Sequence, residues 1–191
     1  KPAKGGLPYK GSYSLNKHKP AEKEGTYIFT ASYTDRGANG MKTLTATKVL
    51  SLSYPIMIGD KFSSKKNVMT FNVTAGMMPG IENDMTMTLP SDDGVLQYNN
   101  IDLTGVGKLK LNLVVAPTYF SGGSMNVMID GVDGQKIGAG TFETGLTDLG
   151  FKEMVVDIAQ VNGPHTLVFT FKCADASKIF AGLASIEFIQ R

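Results

Sequence analysis

The 191-residue sequence predicts an all-β protein, a sandwich or barrel built from many short antiparallel strands. Three observations carry this. Apolar residues alternate with polar ones wherever the chain is hydrophobic: Tyr27, Phe29, Ala31 and Tyr33; Leu109, Leu111, Leu113 and Val115; Met125, Val127 and Ile129; Leu167, Phe169 and Phe171. Period two puts one side of each strand in a core and the other outside. Between these runs lie Asp35-Arg36-Gly37, Asn39-Gly40, Gly122-Gly123, Asp133-Gly134 and Asn162-Gly163-Pro164. Such residues accept positive φ and read as turns. No stretch sustains a capped helical period, so helices are expected to be few and short.

From the N-terminus, strands are expected around Tyr9–Leu15, Thr26–Thr34 and Leu44–Leu52. A boundary follows at Tyr54-Pro55, because proline cannot donate to a ladder and biases its predecessor toward extended structure. Residues 1–54 therefore form a small β extension, the possible remnant of a preceding domain, and residues 55–191 the main domain. Three strands in so short a piece bury little alone. The extension must lean on the main domain or on a neighbour, since Tyr27, Phe29 and Tyr33 would otherwise be an aggregation hazard.

In the main domain the first strand is placed at Val68–Val73, with the Tyr98–Leu103 segment next and the three alternating runs after it. Asp130-Gly131-Val132-Asp133-Gly134 lacks the later bidentate glutamate of a calcium loop and is read as a hairpin turn. Asp92-Asp93, beside Gly94, is also read as a turn former. Lys178 to Leu183 is the one candidate helical turn, and Ile186-Glu187-Phe188 belongs to a final strand.

Composition narrows the function classes. Hydrophobic residues make up 42% of the chain, enough for a core, and no apolar run approaches the roughly 20 residues of a membrane-spanning helix. The net charge is +2, and its excess sits at Lys1, Lys4, Lys10, Lys17, Lys19 and Lys23, which read as a solvated arm and not as a nucleic-acid surface. The single cysteine, Cys173, excludes an internal disulfide and closes an apolar strand, so a buried or half-buried structural thiol is expected. The opening KPAKGGLPYK has no apolar stretch of the kind a secretory leader needs. Either a leader was removed or the chain was cut from something longer.

The order of elements from about Ile56 to Arg191 resembles carbohydrate-binding module family 6. The residues that carry the likeness are Tyr98-Asn99-Asn100-Ile101-Asp102-Leu103, Gly122-Gly123 before a strand ending in Ile129-Asp130, Gly134-Gln135-Lys136-Ile137-Gly138, Gly163-x-His165-x-Leu167 leading into Phe169 and Phe171, and Ile186-Glu187-Phe188. The resemblance implies a jelly-roll β-sandwich of two antiparallel sheets, galactose-binding-like. It also implies a cleft among loops at one end, where two aromatic rings sandwich a pyranose and an asparagine hydrogen-bonds it. At the corresponding positions this chain has Val95 for the first ring, Phe151 for the second and Gly182 for the asparagine. The family's structural calcium uses a glutamate near the first strand and an aspartate before the last; here Asn67, Asn72 and Ala184 stand nearby, and no calcium is expected. Residues 25–55 look like the strands that precede such modules in bacterial multidomain proteins resembling quinone-dependent sugar dehydrogenases, often with a trehalose-utilisation-like domain.

Enzyme chemistry has little to work with. His165, at a strand start, is read as a structural side chain bonded to a nearby loop, and His18 as solvated. No catalytic residue, metal or cofactor is assigned. The expectation is a non-catalytic carbohydrate-binding accessory module of a larger secreted or periplasmic sugar-acting protein, binding an oligo- or polysaccharide on Phe151 with the loop aromatics Tyr119 and Phe120. These two follow Pro117 and precede a glycine pair, a tip on which aromatics are costly unless covered or used. The alternative is a structural docking sandwich that has lost sugar binding and orients a neighbouring domain of the same polypeptide. Val95 and Gly182 favour it.

Overall fold

The computed structural model describes residues 26–37, 40, 42–53, 55–78, 80–116, 118–145 and 149–191, and among them every regular element is a strand. The chain divides into two compact units, Lys1–Tyr54 and Pro55–Arg191.

Among its described residues the first unit contains one antiparallel ribbon, β1 (Thr26–Thr34) and β2 (Thr45–Ser53), paired without interruption from Thr26↔Ser53 to Thr34↔Thr45. Strand β1 stands where the alternation predicts it, and β2 lies one residue along from the strand expected around Leu44–Leu52. Asp35 organises the connection: its carboxylate accepts the N–H groups of Gly37 and Leu44, both at 2.9 Å. A two-stranded ribbon is marginal in water by itself, and Tyr33, Leu44 and Val49 are exposed. The strand expected around Tyr9–Leu15 lies outside the described residues.

The second unit holds β3 (Ile56–Ile58), β4 (Ser64–Val73), β5 (Met85–Asp102), β6 (Val106–Val115), β7 (Gly122–Ile129), β8 (Gln135–Glu143), β9 (Gly150–Asp157), β10 (Pro164–Cys173) and β11 (Gly182–Gln190). All pairings are antiparallel, in the order β8-β7-β10-β5-β11-β6-β9, with β4 beside β5 and β3 beside β11. This is a jelly-roll sandwich whose layers share one long strand. The second half of β5, Gly94–Asp102, pairs with β10. Its first half meets β11 at Thr88↔Leu183. Strand β4 follows β5 through both layers, and a bridge at Gly138↔Ile158 joins β8 to the end of β9, so the sheet is nearly closed.

The passage between layers is a large bulge. Lys66 pairs with Val95 and Val68 with Pro90, so Asn67 alone faces the four residues Ser91–Gly94. Such bulges bend a strand and sharpen its twist. Asn67 and Asp93 adopt φ of 51° and 53°, a region short polar side chains tolerate best after glycine. Asp92-Asp93 is therefore a bulge inside a strand and not a turn; residues that favour turns are used here for the positive φ alone.

The sandwich encloses one core. Leu109, Leu111 and Leu113 of β6, Leu167 and Phe169 of β10, Leu96 of β5 and Ile186 of β11 are fully buried. The Tyr98 ring meets Phe169 edge-on at 5.9 Å, and its hydroxyl donates to Gly59 O at 2.7 Å. Burial holds that phenol well above its ordinary range. Cys173 is a buried free thiol.

Two further expectations are corrected. Lys178–Leu183 forms no helical turn: Ile179 bridges Ser91 and Phe120, Phe180 N–H donates to Pro90 O at 2.9 Å, and Gly182 already begins β11. Fully buried Phe180 and Ala181 draw this segment across the end of the core. Gly122-Gly123 is likewise no turn but the first two residues of β7. A Cβ on Gly123 would lie 2.0 Å from Lys172 O, at a φ of 139°. Glycine is needed here because β7 and β10 touch. Gly123→Ala is expected to cost about 3 kcal/mol of stability, measured as a lowered denaturant midpoint with an unchanged slope.

Candidate functional site

The strand register assembles one extended groove on the outer face of the layer β4-β5-β10-β7. Leu96, Leu167, Phe169, Met125 and Val127 point into the core, so their neighbours in each strand point out. Cross-strand pairing sets those neighbours in rows. Lys66 faces Val95, Val95 faces Thr170 and Thr170 faces Asn126. In the next row Ser64 faces Gln97, which faces Val168 and then Met128. Lys172 faces Ser124 on the other side.

The groove encloses about 810 Å³ and is bounded by Lys65, Asp93, Gly94 and Val132. Its polar groups are partly ordered by one another. Ser64 Oγ donates to Gln97 Oε1, and Asn126 Nδ2 donates to Thr170 Oγ1 at 3.5 Å. At one end Lys172 Nζ lies 2.6 Å from Asp92 and 3.4 Å from Asp93, while Asp92 also accepts Cys173 N–H at 2.9 Å. The Lys172 hydrogen bond, with the Cys173 amide, holds the Asp92 carboxyl below its ordinary range, and the same contact pushes the Lys172 ammonium up. The surface thus offers hydroxyl, amide, ammonium and carboxylate groups at fixed spacing, but no exposed ring.

The rings expected to grip a ligand lie elsewhere, and the structure does not bring the three together. Tyr119 is 68% exposed in the connection from β6 to β7. Phe120 is a core residue, 7% exposed, held by its bridge to Ile179. This corrects its assignment to an exposed tip: the loop is pinned across the end of the sandwich, and one of its two aromatics is turned inward. Phe151 is 43% exposed and pairs with Val114 on the outer face of the other layer, with its ring 3.4 Å from where a Cβ on Gly80 would stand. Among the described residues no ring contact joins it to Tyr119.

Val95 sits in the floor of the groove. Gly182 is buried, and a Cβ there would lie 2.5 Å from Met87 Sδ, so a longer side chain would have to displace the Met87 side chain. Among the described residues no cluster of three His, Cys, Asp or Glu side chains has the geometry to hold a metal. Asp130–Gly134 is the β7–β8 hairpin turn, closed by Gly134 N–H to Gly131 O at 3.1 Å. His165 Nδ1 lies 2.8 Å from Asp130 Oδ2, and the other carboxylate oxygen accepts Thr166 N–H at 3.1 Å. The histidine therefore ties the start of β10 to that turn.

Groove residues come from separated segments, 64–66, 93–97, 124–126 and 170–172, with Val132 from the β7–β8 turn. Sequence reasoning missed them because each looks like the ordinary polar side of a strand. The signal available was their shared parity with Val95, which the family likeness had already marked.

No protein-family model and no curated protein matches the chain. Solved structures do. A family 6 carbohydrate-binding module from Clostridium cellulolyticum in complex with xylose superposes with a TM-score of 0.58 at 18% identity, over 71% of this chain and 96% of that one. A β-1,3-glucan-binding family 6 module from Bacillus halodurans gives 0.57 at 10% identity, over 70% and 93%. A glycoside hydrolase family 43 arabinoxylan arabinofuranohydrolase from Bacillus subtilis, in complex with cellotetraose, gives 0.59 at 18% identity over 71% of this chain and only 27% of that larger one. The fold is that of the family 6 modules.

The histidine contact makes a pH prediction. The Asp130 hydrogen bond raises His165 above its ordinary 6.5, and the same bond, with the Thr166 amide, lowers Asp130 below 3.8. A raised histidine stabilises the fold below its ordinary value and loses that contribution as pH climbs through the raised one; a lowered aspartate contributes above its ordinary value and loses it on acidification. The turn is therefore tightest between those two ordinary values. An NMR titration of the His165 ring should give a midpoint above 6.5, and Asp130→Asn should bring it down toward that value.

Proposed function

We propose that the sandwich is a non-catalytic carbohydrate-binding module, an accessory to a larger secreted or periplasmic sugar-acting protein, and that the glycan lies in the groove across β4, β5, β10 and β7. The groove itself carries the reading. A sugar presents many hydroxyls and needs donors and acceptors of both kinds at close spacing, which Gln97, Asn126, Thr170, Ser64, Lys66 and Asp93 supply from a sheet that keeps their Cα positions fixed. The fold adds support, since the neighbours are described as bound to xylose and cellotetraose or as binding β-1,3-glucan. Residues 1–54 then belong to the edge of a preceding domain in the same polypeptide.

A second reading puts the sugar on Tyr119 and Phe151. Their exposure favours it, because rings left in water are suited to stacking on the C–H face of a pyranose. Calorimetry with xylo-, cello- and β-1,3-gluco-oligosaccharides separates the two. The groove reading expects Gln97→Ala and Asn126→Ala each to weaken binding about tenfold, the loss of one or two hydrogen bonds, with Tyr119→Ala near wild type. The reverse pattern moves the site to the loop end. No binding of any of these sugars at millimolar concentration overturns both and leaves a structural sandwich that orients its neighbour.

A further inference from the structure

Charge is distributed unevenly along the groove. Lys65, Lys66, Lys172 and Asp93 all border it. At one end Lys172 is already engaged by Asp92 and Asp93, so carboxylate there outnumbers ammonium. On the β4 side Lys66 has no carboxylate partner among the described residues. Lys65 stands beside it, with its ammonium 5.1 Å from the centre of the uncharged Phe62 ring. Two positive charges on that side are therefore left without an ion pair among the described residues.

The register sets Lys66 at one side of a small patch centred on Val95. Lys66 faces Val95 from β4, and Thr170 faces it from β10. Gln97 is the next outward position along β5, about 7 Å away at Cα. Ser64 orients its amide: the serine hydroxyl donates to Oε1 and leaves Nε2 as a donor with no partner among the described residues. The Thr170 hydroxyl accepts Asn126 Nδ2, so its own proton is available to a ligand. An ammonium, an amide and a hydroxyl proton thus surround the half-buried Val95 on three sides. A group that only accepts hydrogen bonds matches this set, and an anion matches it best.

We propose that the groove selects an acidic glycan, whose carboxylate or sulfate ester lies over Val95 within reach of Lys66, Gln97 and Thr170. This rests on the groove being the sugar site. A neutral pyranose exchanges water hydrogen bonds for protein ones at little net gain and depends on stacking against a ring. Among the described residues the groove offers no exposed ring. Charge-assisted hydrogen bonds are about twice as strong as neutral ones, so one anionic substituent supplies what stacking would otherwise give. Asp93, two residues from Val95 in the other direction, confines the anion to the Lys66 side.

Calorimetry on the full chain tests this with matched pairs: a xylo-oligosaccharide with and without a glucuronic acid branch, and a galactan oligosaccharide with and without sulfate. At least one acidic member should bind about tenfold more tightly than its neutral counterpart. The pair that shows it tells carboxylate from sulfate. Raising salt from about 10 mM to about 1 M, which shortens the screening length from about 30 Å to about 3 Å, should remove most of the difference. Lys66→Gln should abolish it and Lys66→Arg keep it, both with an unchanged unfolding midpoint because Lys66 is exposed. Asp93→Asn should widen it. Equal affinity for acidic and neutral members, with Gln97→Ala still weakening both, overturns the acidic preference and leaves the groove as a neutral-sugar site. A preference that survives Lys66→Gln, or equal binding of an oligoglutamate of matched charge, overturns it as well. Binding lost in Tyr119→Ala but kept in Gln97→Ala, or no binding of any of the four sugars, overturns the groove reading itself.

Discussion

The structure depends on how β4 and β5 pass from one layer of the sandwich to the other. Two sheets that share continuous strands must bend both strands at one place, and here a single residue, Asn67, accommodates four, Ser91–Gly94. Positive φ at Asn67 and Asp93 makes the bend, and Gly94 is tolerated where a Cβ would stand 2.8 Å from Ser91 O. Asp92 then ties the bend to β10 through Cys173 N–H and Lys172, while Phe180 N–H to Pro90 O ties it to the segment leading into β11. Each layer is anchored to the crossing by a different neighbour.

The same crossing divides the surface. Before the bulge, β4 contributes Ser64 and Lys66 to a polar groove; after it, the same strand contributes Met69 and Phe71 to an apolar rim on the opposite layer. A strand with one exposed side of uniform character could not do both. The three-residue excess in β5 re-aims the chain so that two faces with different chemistry share one pair of strands. Farther along the second layer the surface turns charged: Lys110 lies 2.7 Å from Glu187 and 3.4 Å from Glu153, and Lys108 3.1 Å from Asp157.

Local pattern made most strands legible. Alternation alone located β1, and the leucines of β6 and the phenylalanines of β10 marked their core sides. Turn chemistry was less reliable, for a physical reason: glycine and aspartate signal positive φ or a close approach, and a chain needs these inside strands as well as between them. Gly122-Gly123 serves contact between strands and Asp92-Asp93 serves the bulge. Phe120 looked exposed beside Pro117 and the glycine pair, but its partner Ile179 is far away in sequence, and no local rule reports that bridge. The groove was hidden in the same way, because its floor exists only once four separated strands are in register.

The claim that the crossing holds the sandwich together is tested most directly through Asp92, whose carboxylate is the side chain that spans the bend and β10. Thermal unfolding of Asp92→Ala, followed with hydrogen exchange at the Cys173 amide, should show a lowered midpoint and faster exchange at that amide. A variant that melts with the wild type and keeps Cys173 protected would contradict it.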